Sequence, residues 1–454
     1  MYKTLSAPLV VQIEIESACT NICIHCYNFW RKDNKSKPYN NHLSMEEVDV
    51  VMHKLAEAKV FEVVFTGGEP LLNKSALFYG IKLAQKLGIG VSLNSNLIPL
   101  TEKDAAFLKR LGVHSILTSL MGPSADIHDA ITLRNGSFGD TIRGIKYLQK
   151  IGFSPTVNIV ISQKNKNYLR ETIKFLASLG INHISSTRAG WPGNCSDFSE
   201  ISLSFEDFRK YLEELYITGK EVGVSVGVLE SYPYCGMKEL LRYQRFLGRR
   251  CSAGVTTVTI GPNGSVRPCS HFDSQYGNLL SEGLEEIWLR MEEWRNGSMI
   301  PLECIKCPLL EICGGGCRME AKMRCGSSNA MDPYSSPKDI NFTLQQSNKL
   351  LKRELKIVSV FSVAEKVHIR LEKFGSVIFV AHRFKAYLNK ESTDFLMKLN
   401  PERIYTIEEI IKLGDYDIEA LKRFLSKLAD KKIILQRPKK IIGGGRDEIT
   451  NSRF

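Results

Sequence analysis

The chain of 454 residues has no apolar run long enough to cross a bilayer. A spanning helix takes roughly 20 consecutive apolar residues, whereas runs such as Leu9–Ile15 and Phe61–Phe65 are strand-sized. No cleavable signal opens the sequence, so a cytoplasmic location and no membrane partner are expected. Acidic residues are in deficit, 49 against 61 Lys and Arg, for a formal charge of +12. With a pI near 9.0, that balance suits an acidic partner such as a peptide, nucleic acid or anionic lipid, and charge alone does not choose among them. Cysteines placed as a disulfide framework are also missing. The 12 cysteines gather at metal-ligand spacings and read as reduced thiolates. The length suggests two or three domains, and a 43% hydrophobic content is enough for real cores.

Three of the thiols stand in one short loop, Cys19-Thr-Asn-Ile-Cys23-Ile-His-Cys26. A closed structural zinc site, or a saturated [4Fe–4S] cluster, takes four protein ligands. Three leave one iron open for a ligand that is not protein. A zinc or structural thiol cluster is the plainer reading of such a triplet taken alone. The segment closely resembles the radical S-adenosylmethionine (SAM) superfamily. That resemblance implies that the open iron chelates the amino and carboxylate groups of SAM and that the reduced cluster releases a 5′-deoxyadenosyl radical.

β-Rich stretches occur at Val10–Glu16, Glu62–Thr66, Gly90–Asn94, Ser115–Leu120, Thr156–Ser162 and His183–Thr187, with helical patterns between most of them. Such alternation predicts parallel βα units. Helix starts are legible as capping boxes at Ser44-Met-Glu-Glu47 and Thr406-Ile-Glu-Glu409. The expected fold is α/β, and the resemblance implies an open, partial (β/α)6 barrel with its chemistry at the carboxyl ends of the strands. The cysteine triplet follows the first predicted strand directly.

The second strand ends in Thr66-Gly67-Gly68-Glu69-Pro70. Two glycines allow close backbone approach, and a strand-end carboxylate can accept from an ammonium. In the radical SAM family such a stretch holds the methionine amino group, although a Gly-Gly-Glu-Pro turn alone is more often only a turn. Further on, Ser119-Leu-Met-Gly122-Pro123, His128-Asp129, Arg134 and Gly136-Ser137-Phe138 look like another family stretch. By that likeness Ser119 and Arg134 would face the SAM carboxylate or ribose, since an arginine fork matches a carboxylate. Met121 departs from the family's usual Asp. His25 sits where a ring often packs on adenine; alone it would read as an exposed loop histidine.

Seven more cysteines follow as Cys251-x12-Gly264-x4-Cys269, Cys304-x2-Cys307-x5-Cys313-x3-Cys317 and Cys325. These spacings resemble the seven-cysteine SPASM domain throughout, supported by Gly277-Asn278-Leu279, Leu284, Ile287 and Trp288. The resemblance implies two auxiliary Fe–S clusters, both expected to be [4Fe–4S]. Cys304, Cys307, Cys313 and Cys325 would hold one. Cys251, Cys269 and Cys317 would hold the other, with upstream Cys235 as the natural fourth ligand or the site left open for substrate. No cysteine lies between Cys251 and Cys269, which counts against anaerobic sulfatase maturases. A zinc ribbon is the bland reading of Cys304-x2-Cys307, but zinc cannot transfer electrons. Cys195 is unassigned: a buried small hydrophobe, or a thiol delivering hydrogen to a substrate radical, a role Cys235 could also fill.

After Cys325, Gly326–Lys338 is rich in Ser, Asn and Pro and reads as a linker, followed by a charged helical stretch to about Leu355. Strands are expected at Val367–Lys373, Ser376–Ala381 and Ile433–Leu435, with helices from near Lys390, Thr406 and Asp417. This region resembles, more weakly, the small winged-helix domain that presents the precursor peptide in pyrroloquinoline quinone biosynthesis (PqqD-like). An exposed edge strand there could bind a leader peptide by strand addition, and Arg383, Lys385, Lys422, Arg423, Lys431 and Lys432 suit an acidic leader. A winged helix could equally meet phosphates, or the charges could be solvated helix faces.

The expected organisation is a radical SAM barrel over 1–235, a SPASM domain over 236–330, a linker and helix over 331–365, a peptide-recognition domain over 366–440 and a disordered tail over 441–454. The expected function is oxidative modification of a ribosomally made precursor peptide, as a thioether or carbon–carbon cross-link or, with a hydrogen donor, an epimerisation. An external low-potential donor of flavodoxin or ferredoxin type would supply electrons. The rivals are a radical SAM maturase of a protein or small molecule, and a zinc-stabilised nucleic-acid-binding protein.

Overall fold

The computed structural model describes residues 3–28, 41–190, 198–237, 243, 249–337, 360–412, 414 and 417–437. It divides into two compact units, Met1–Leu351 and Lys352–Phe454. Cys195, the expected helical stretch before Leu355 and the expected tail lie outside the described residues.

In the first unit, strand and helix alternate as β1 (Val10–Glu16), α1 (Met45–Glu57), β2 (Glu62–Gly67), α2 (Lys74–Lys86), β3 (Gly90–Asn94), α3 (Glu102–Arg110) and β4 (Ser115–Ser119). Then come α4 (Ala125–Thr132), α5 (Ser137–Lys150), β5 (Thr156–Ile161), α6 (Leu169–Ser178), β6 (His183–Arg188), α7 (Phe205–Glu221) and β7 (Ser225–Val228). Strands β1 to β7 pair in sequence order, all parallel. Parallel pairing with a helix at nearly every crossover buries both faces of a sheet. Accordingly Val11, Ile13 and Ile15 on one face of β1, and Glu14 on the other, are all buried. Each such apolar side chain contributes roughly 1.5–3 kcal/mol of burial. The capping box at α1 forms as expected, with Glu47 N donating to Ser44 Oγ at 3.1 Å and Ser44 N to Glu47 Oε2 at 2.8 Å. A third box, Thr101 with Asp104, opens α3 and uses Asp where the expected pattern has Glu.

The sheet does not end at β1. Strand β8 (Thr257–Ile260) pairs with β1 in parallel, and β9 (Ser265–Arg267) and β10 (Gly277–Asn278) extend it antiparallel into ten strands. The cysteine-rich segment is thus continuous with the barrel through its first strand. Buried Glu14 of β1 is ion-paired with buried Arg267 of β9 across that join. Short helices α8 (Leu284–Arg290), α9 (Leu310–Cys313) and α10 (Arg318–Cys325) complete the unit.

The second unit holds β11 (Val360–Val363), β12 (Val367–Glu372), β13 (Gly375–Val380), β14 (Arg383–Asn389), α11 (Lys390–Met397), β15 (Ile404–Thr406), α12 (Ile407–Ile411), α13 (Ile418–Asp430) and β16 (Ile434–Gln436). Two antiparallel sheets, ordered β12-β13-β14 and β15-β11-β16, surround a core that includes Phe361, Ile378, Phe395, Leu425 and Ile434. The pattern reading missed β11, β14 and β15 here, and β7 to β10 in the first unit. Strand β14 alternates weakly because much of it is exposed. Among the described residues, no helix is long and apolar enough to cross a membrane.

Candidate active site

The cysteine triplet occupies the loop at the carboxyl end of β1. Backbone bonds tie this loop to the end of α4, Ile22 N to Thr132 O and Ile24 N to Ile131 O, both at 3.0 Å. From the other side Gly68 N donates to Glu16 O at 2.6 Å and Glu69 N to Ala18 O at 2.7 Å. A Cβ on Gly68 would stand 2.1 Å from Ala18 O, and one on Gly67, whose φ is +132°, 2.3 Å from Glu16 O. The two glycines therefore serve a close approach within the chain itself: they let the β2 turn support the triplet loop.

Glu69 is buried and its carboxylate accepts three bonds, from Leu71 N at 3.0 Å, the Ser95 hydroxyl at 2.7 Å and Asn96 N at 2.8 Å. Burial nevertheless pushes its pKa up to about 7, with those donors opposing. Asn96, which pattern reading did not single out, donates its side-chain amide to Thr20 Oγ1 at 2.8 Å and approaches Cys19 Sγ at 3.6 Å. A run from Glu69 through Asn96 to the first cysteine thus fixes the loop, signalled in sequence only by the polar residues after β3.

Ser119 ends β4, half-buried. Arg134 pairs with Asp140 at 3.0 Å through Nη2, while its buried Nη1 has no hydrogen-bond partner among the described residues. His25 Nδ1, Asn28 Oδ1 and His128 Nε2 are likewise buried without one. Burial, with the neighbouring His128, lowers His25 to about 4, so its ring is neutral near pH 7. The His-Asp and Gly-Ser-Phe stretches have a local explanation. Asp129 accepts from Gly136 N, Ser137 Oγ and Phe138 N at 2.6, 2.7 and 2.8 Å, which caps the start of α5. His128 Nδ1 accepts from Met121 N at 3.1 Å, and the Met121 side chain is buried where the family usually has a carboxylate.

The triplet loop also meets the cysteine-rich segment. Tyr27 stacks on His271 with ring centroids 4.2 Å apart, and His271 N donates to Cys269 Sγ at 3.4 Å. Nearby, Arg188 at the end of β6 is 1% exposed and lies 3.6 Å from both Glu230 and Asp332. The rings of Tyr334, Tyr232 and Phe208 surround it at 4.4, 5.0 and 5.8 Å from the guanidinium carbon. Although burial opposes it, the carboxylates hold Arg188 well above its usual pKa. Asp332 also accepts from Cys317 N at 2.7 Å. Only the three-dimensional fold gathers this cage.

None of the described cysteines forms a disulfide. Burial foremost, then the nearby Cys251, raises the pKa of Cys269 to about 11 and that of Cys317. Burial, then Cys313, Cys235 and Cys307, pushes Cys304 to about 12. Burial likewise raises Cys313 to about 11, again with Cys235 and Cys307 contributing. The SPASM thiols thus fall into two neighbourhoods, and Cys235 neighbours Cys304, Cys307 and Cys313. Cys325 is exposed. Crowded buried thiols that resist ionisation fit bound cationic iron, which draws off their protons as it binds. Among the described residues, no three His, Cys, Asp or Glu converge on a point that would hold one metal ion. A cluster distributes its thiolates over several irons.

Comparison with known proteins agrees with this geometry. Residues 13–176 match the Radical SAM superfamily and residues 251–318 match the SPASM iron-sulfur cluster-binding domain. An AdoMet-dependent heme synthase of Oleidesulfovibrio alaskensis is 27% identical over 70% of this chain and 85% of its own. Mycofactocin maturase MftC of Mycolicibacterium smegmatis is 27% identical over 71% and 81%. Among solved structures, native anSMEcpe with bound AdoMet superposes with a TM-score of 0.59 at 20% identity, covering 76% of this chain and 98% of that one. Streptococcus suis SuiB bound to precursor peptide SuiA gives 0.58 at 18% identity, over 72% and 75%. Residues 13–176 of this chain thus form a radical SAM domain. More narrowly, residues 251–318 add a SPASM domain, and the two domains together imply a [4Fe–4S] cluster with SAM and auxiliary iron–sulfur clusters.

Proposed function

We propose that this chain modifies a ribosomally made peptide, with its second unit as the peptide-recognition element. The observation that carries the reading is the edge of β14. Among the described residues, its sheet ends at β14, so main-chain groups stand ready for strand addition. Phe384 on that strand is 45% exposed. Burial, followed by the like charges of Arg383, Lys432 and Lys431, lowers the pKa of Lys385. Crowded cations beside an open strand edge suit an acidic peptide better than a solvated face. Relatives named mycofactocin maturase, subtilosin biosynthesis protein AlbA and PqqA peptide cyclase support the same substrate class.

In this reading Cys19, Cys23 and Cys26 hold the cluster that works with SAM. Bound there, the pair would supply radical chemistry able to take a hydrogen atom from the substrate. The chain's own part is positional. Glu69 and Asn96 fix the loop, and Gly67 and Gly68 let β2 support it. The unpartnered atoms of His25, Asn28 and Arg134 remain for the cofactor's polar groups, with Ser119 at the same end of the barrel. For an oxidative outcome, auxiliary clusters held by the thiols of the cysteine-rich segment would serve as electron acceptor, and an external low-potential donor would supply the reducing electron.

Mixing anaerobically loaded enzyme, SAM and reductant with peptides from neighbouring short reading frames tests this. A mass loss of two hydrogens in a peptide is the expected result. Unchanged peptide masses alongside consumption of a tetrapyrrole would instead favour a second reading, for which the relatives named heme synthase are the ground.

A further inference from the structure

The resemblance to SPASM domains implies that Cys304, Cys307 and Cys313 share a cluster with Cys325, yet the fold brings a different thiol beside Cys313. Tyr234–Gly236 forms one 3₁₀ turn, fastened from several sides. Tyr234 N donates to Cys313 Sγ at 3.4 Å, which places the next residue, Cys235, beside that thiol. Ser336 N donates to Cys235 Sγ at 3.4 Å. Gly236 O accepts from Arg209 Nε at 2.9 Å, and a Cβ on Gly236 would stand 2.1 Å from Tyr334 O. The turn can hardly shift without disrupting the packing around Tyr334. Cys307 N donates to Cys304 O at 3.0 Å and Cys313 N to Leu309 O at 2.8 Å, so those three cysteines share one run of turns.

Cys325 is placed otherwise. It is the exposed last residue of α10, and Gly326 follows in a left-handed conformation. Its thiol faces the carbonyl of Met331 at 3.6 Å. The Met331 sulfur, in turn, is the group 3.8 Å from Cys304 Sγ.

We propose that Cys235, Cys304, Cys307 and Cys313 are the four thiolate ligands of one auxiliary cluster, and that Cys325 is not a ligand. The inference rests on the assignment of this chain to the SPASM proteins, which bind such clusters. Two backbone amides, Tyr234 N on Cys313 and Ser336 N on Cys235, then donate to ligand sulfurs, the kind of contact that tunes a cluster's potential. A second consequence concerns Cys251, Cys269 and Cys317. With Cys235 committed elsewhere, that neighbourhood keeps three thiolates.

The test uses the full chain, loaded anaerobically with iron and sulfide, as wild type, Cys235→Ser and Cys325→Ser. Cys235→Ser should lose up to about 4 irons per chain, one cubane, or change the EPR spectrum of the reduced protein. Cys325→Ser should keep the wild-type iron content and spectrum. In loaded wild type, an alkylating reagent followed by peptide mass spectrometry should label Cys325 and leave Cys235 protected until the iron is chelated. Protection of Cys325, loss of iron in Cys325→Ser, or a Cys235→Ser protein indistinguishable from wild type would each overturn the proposal. If Cys235→Ser misfolds, Cys325→Ser and the alkylation pattern still decide. Wild type that takes up no iron would overturn the iron–sulfur assignment itself, a separately visible failure.

Discussion

Replacing Gly68 with Ala perturbs the support of the triplet loop directly. The added methyl would sit 2.1 Å from Ala18 O and 2.5 Å from Ser17 O, and both are backbone atoms that no rotamer change can move. Restoring ordinary contact requires the loop to retreat by more than 1 Å, about the distance that breaks the bonds Gly68 N to Glu16 O and Glu69 N to Ala18 O. Two such bonds contribute about 0.5–1.5 kcal/mol each, and overpacking adds about 1–3 kcal/mol. The expected loss is therefore about 2–6 kcal/mol in urea unfolding of the metal-free protein. Because Cys19 follows Ala18, the displacement should also cost about 4 irons per chain and abolish SAM binding in equilibrium dialysis, leaving the auxiliary clusters in place. Gly139→Ala is the control. Nothing lies within 4 Å of its added carbon, and it sits on the exposed face of α5, so it should be neutral or gain up to about 1 kcal/mol. A Gly68→Ala protein with full iron and unaltered urea midpoint would refute the argument.

Further outcomes follow from the same geometry. Cys23→Ala should abolish 5′-deoxyadenosine formation by chromatography while the auxiliary clusters persist; continued formation would refute the triplet's role. Glu69 has a folded-state pKa of about 7, above the ordinary 4.5, so its contribution to stability is full below about 4.5 and is lost as pH rises through about 7. Glu69→Gln should remove up to about 3 kcal/mol of that slope, and an unchanged slope would show that the group does not titrate in this window. Arg188→Met strands Glu230 and Asp332 in a buried site and should cost about 3–5 kcal/mol, read by urea unfolding; wild-type stability would sink the cage. Lys385→Glu with Lys432→Glu should weaken binding of an acidic peptide at least tenfold, in anisotropy titrations whose wild-type affinity falls with added salt. Salt-independent binding would rule out the basic edge.

Much of the architecture was legible because its causes are local. The first six barrel strands fall at or within a residue of their expected bounds, since apolar β-branched runs between helical periods depend on neighbours in sequence. The boxes at Ser44 and Thr406 are three-residue devices and formed as read. Strand β14 was not legible, because an exposed strand carries little apolar alternation. Arg188 gave no signal, because its rings and carboxylates come from residues 208, 230, 232, 332 and 334.

By itself, then, the sequence determined the kind of chemistry: three thiols after a first strand, and a seven-cysteine run, set the cofactors through spacings that neighbouring residues enforce. The tertiary structure alone decided how the pieces serve it. It turned Gly67 and Gly68 toward the chain's own backbone, gave Glu69 three internal donors, and brought Cys235 to Cys304, Cys307 and Cys313. Apart from the Leu71 amide on Glu69, those pairings join residues tens of positions apart, so they depend on how loops close over a shared core, which no spacing along the chain expresses.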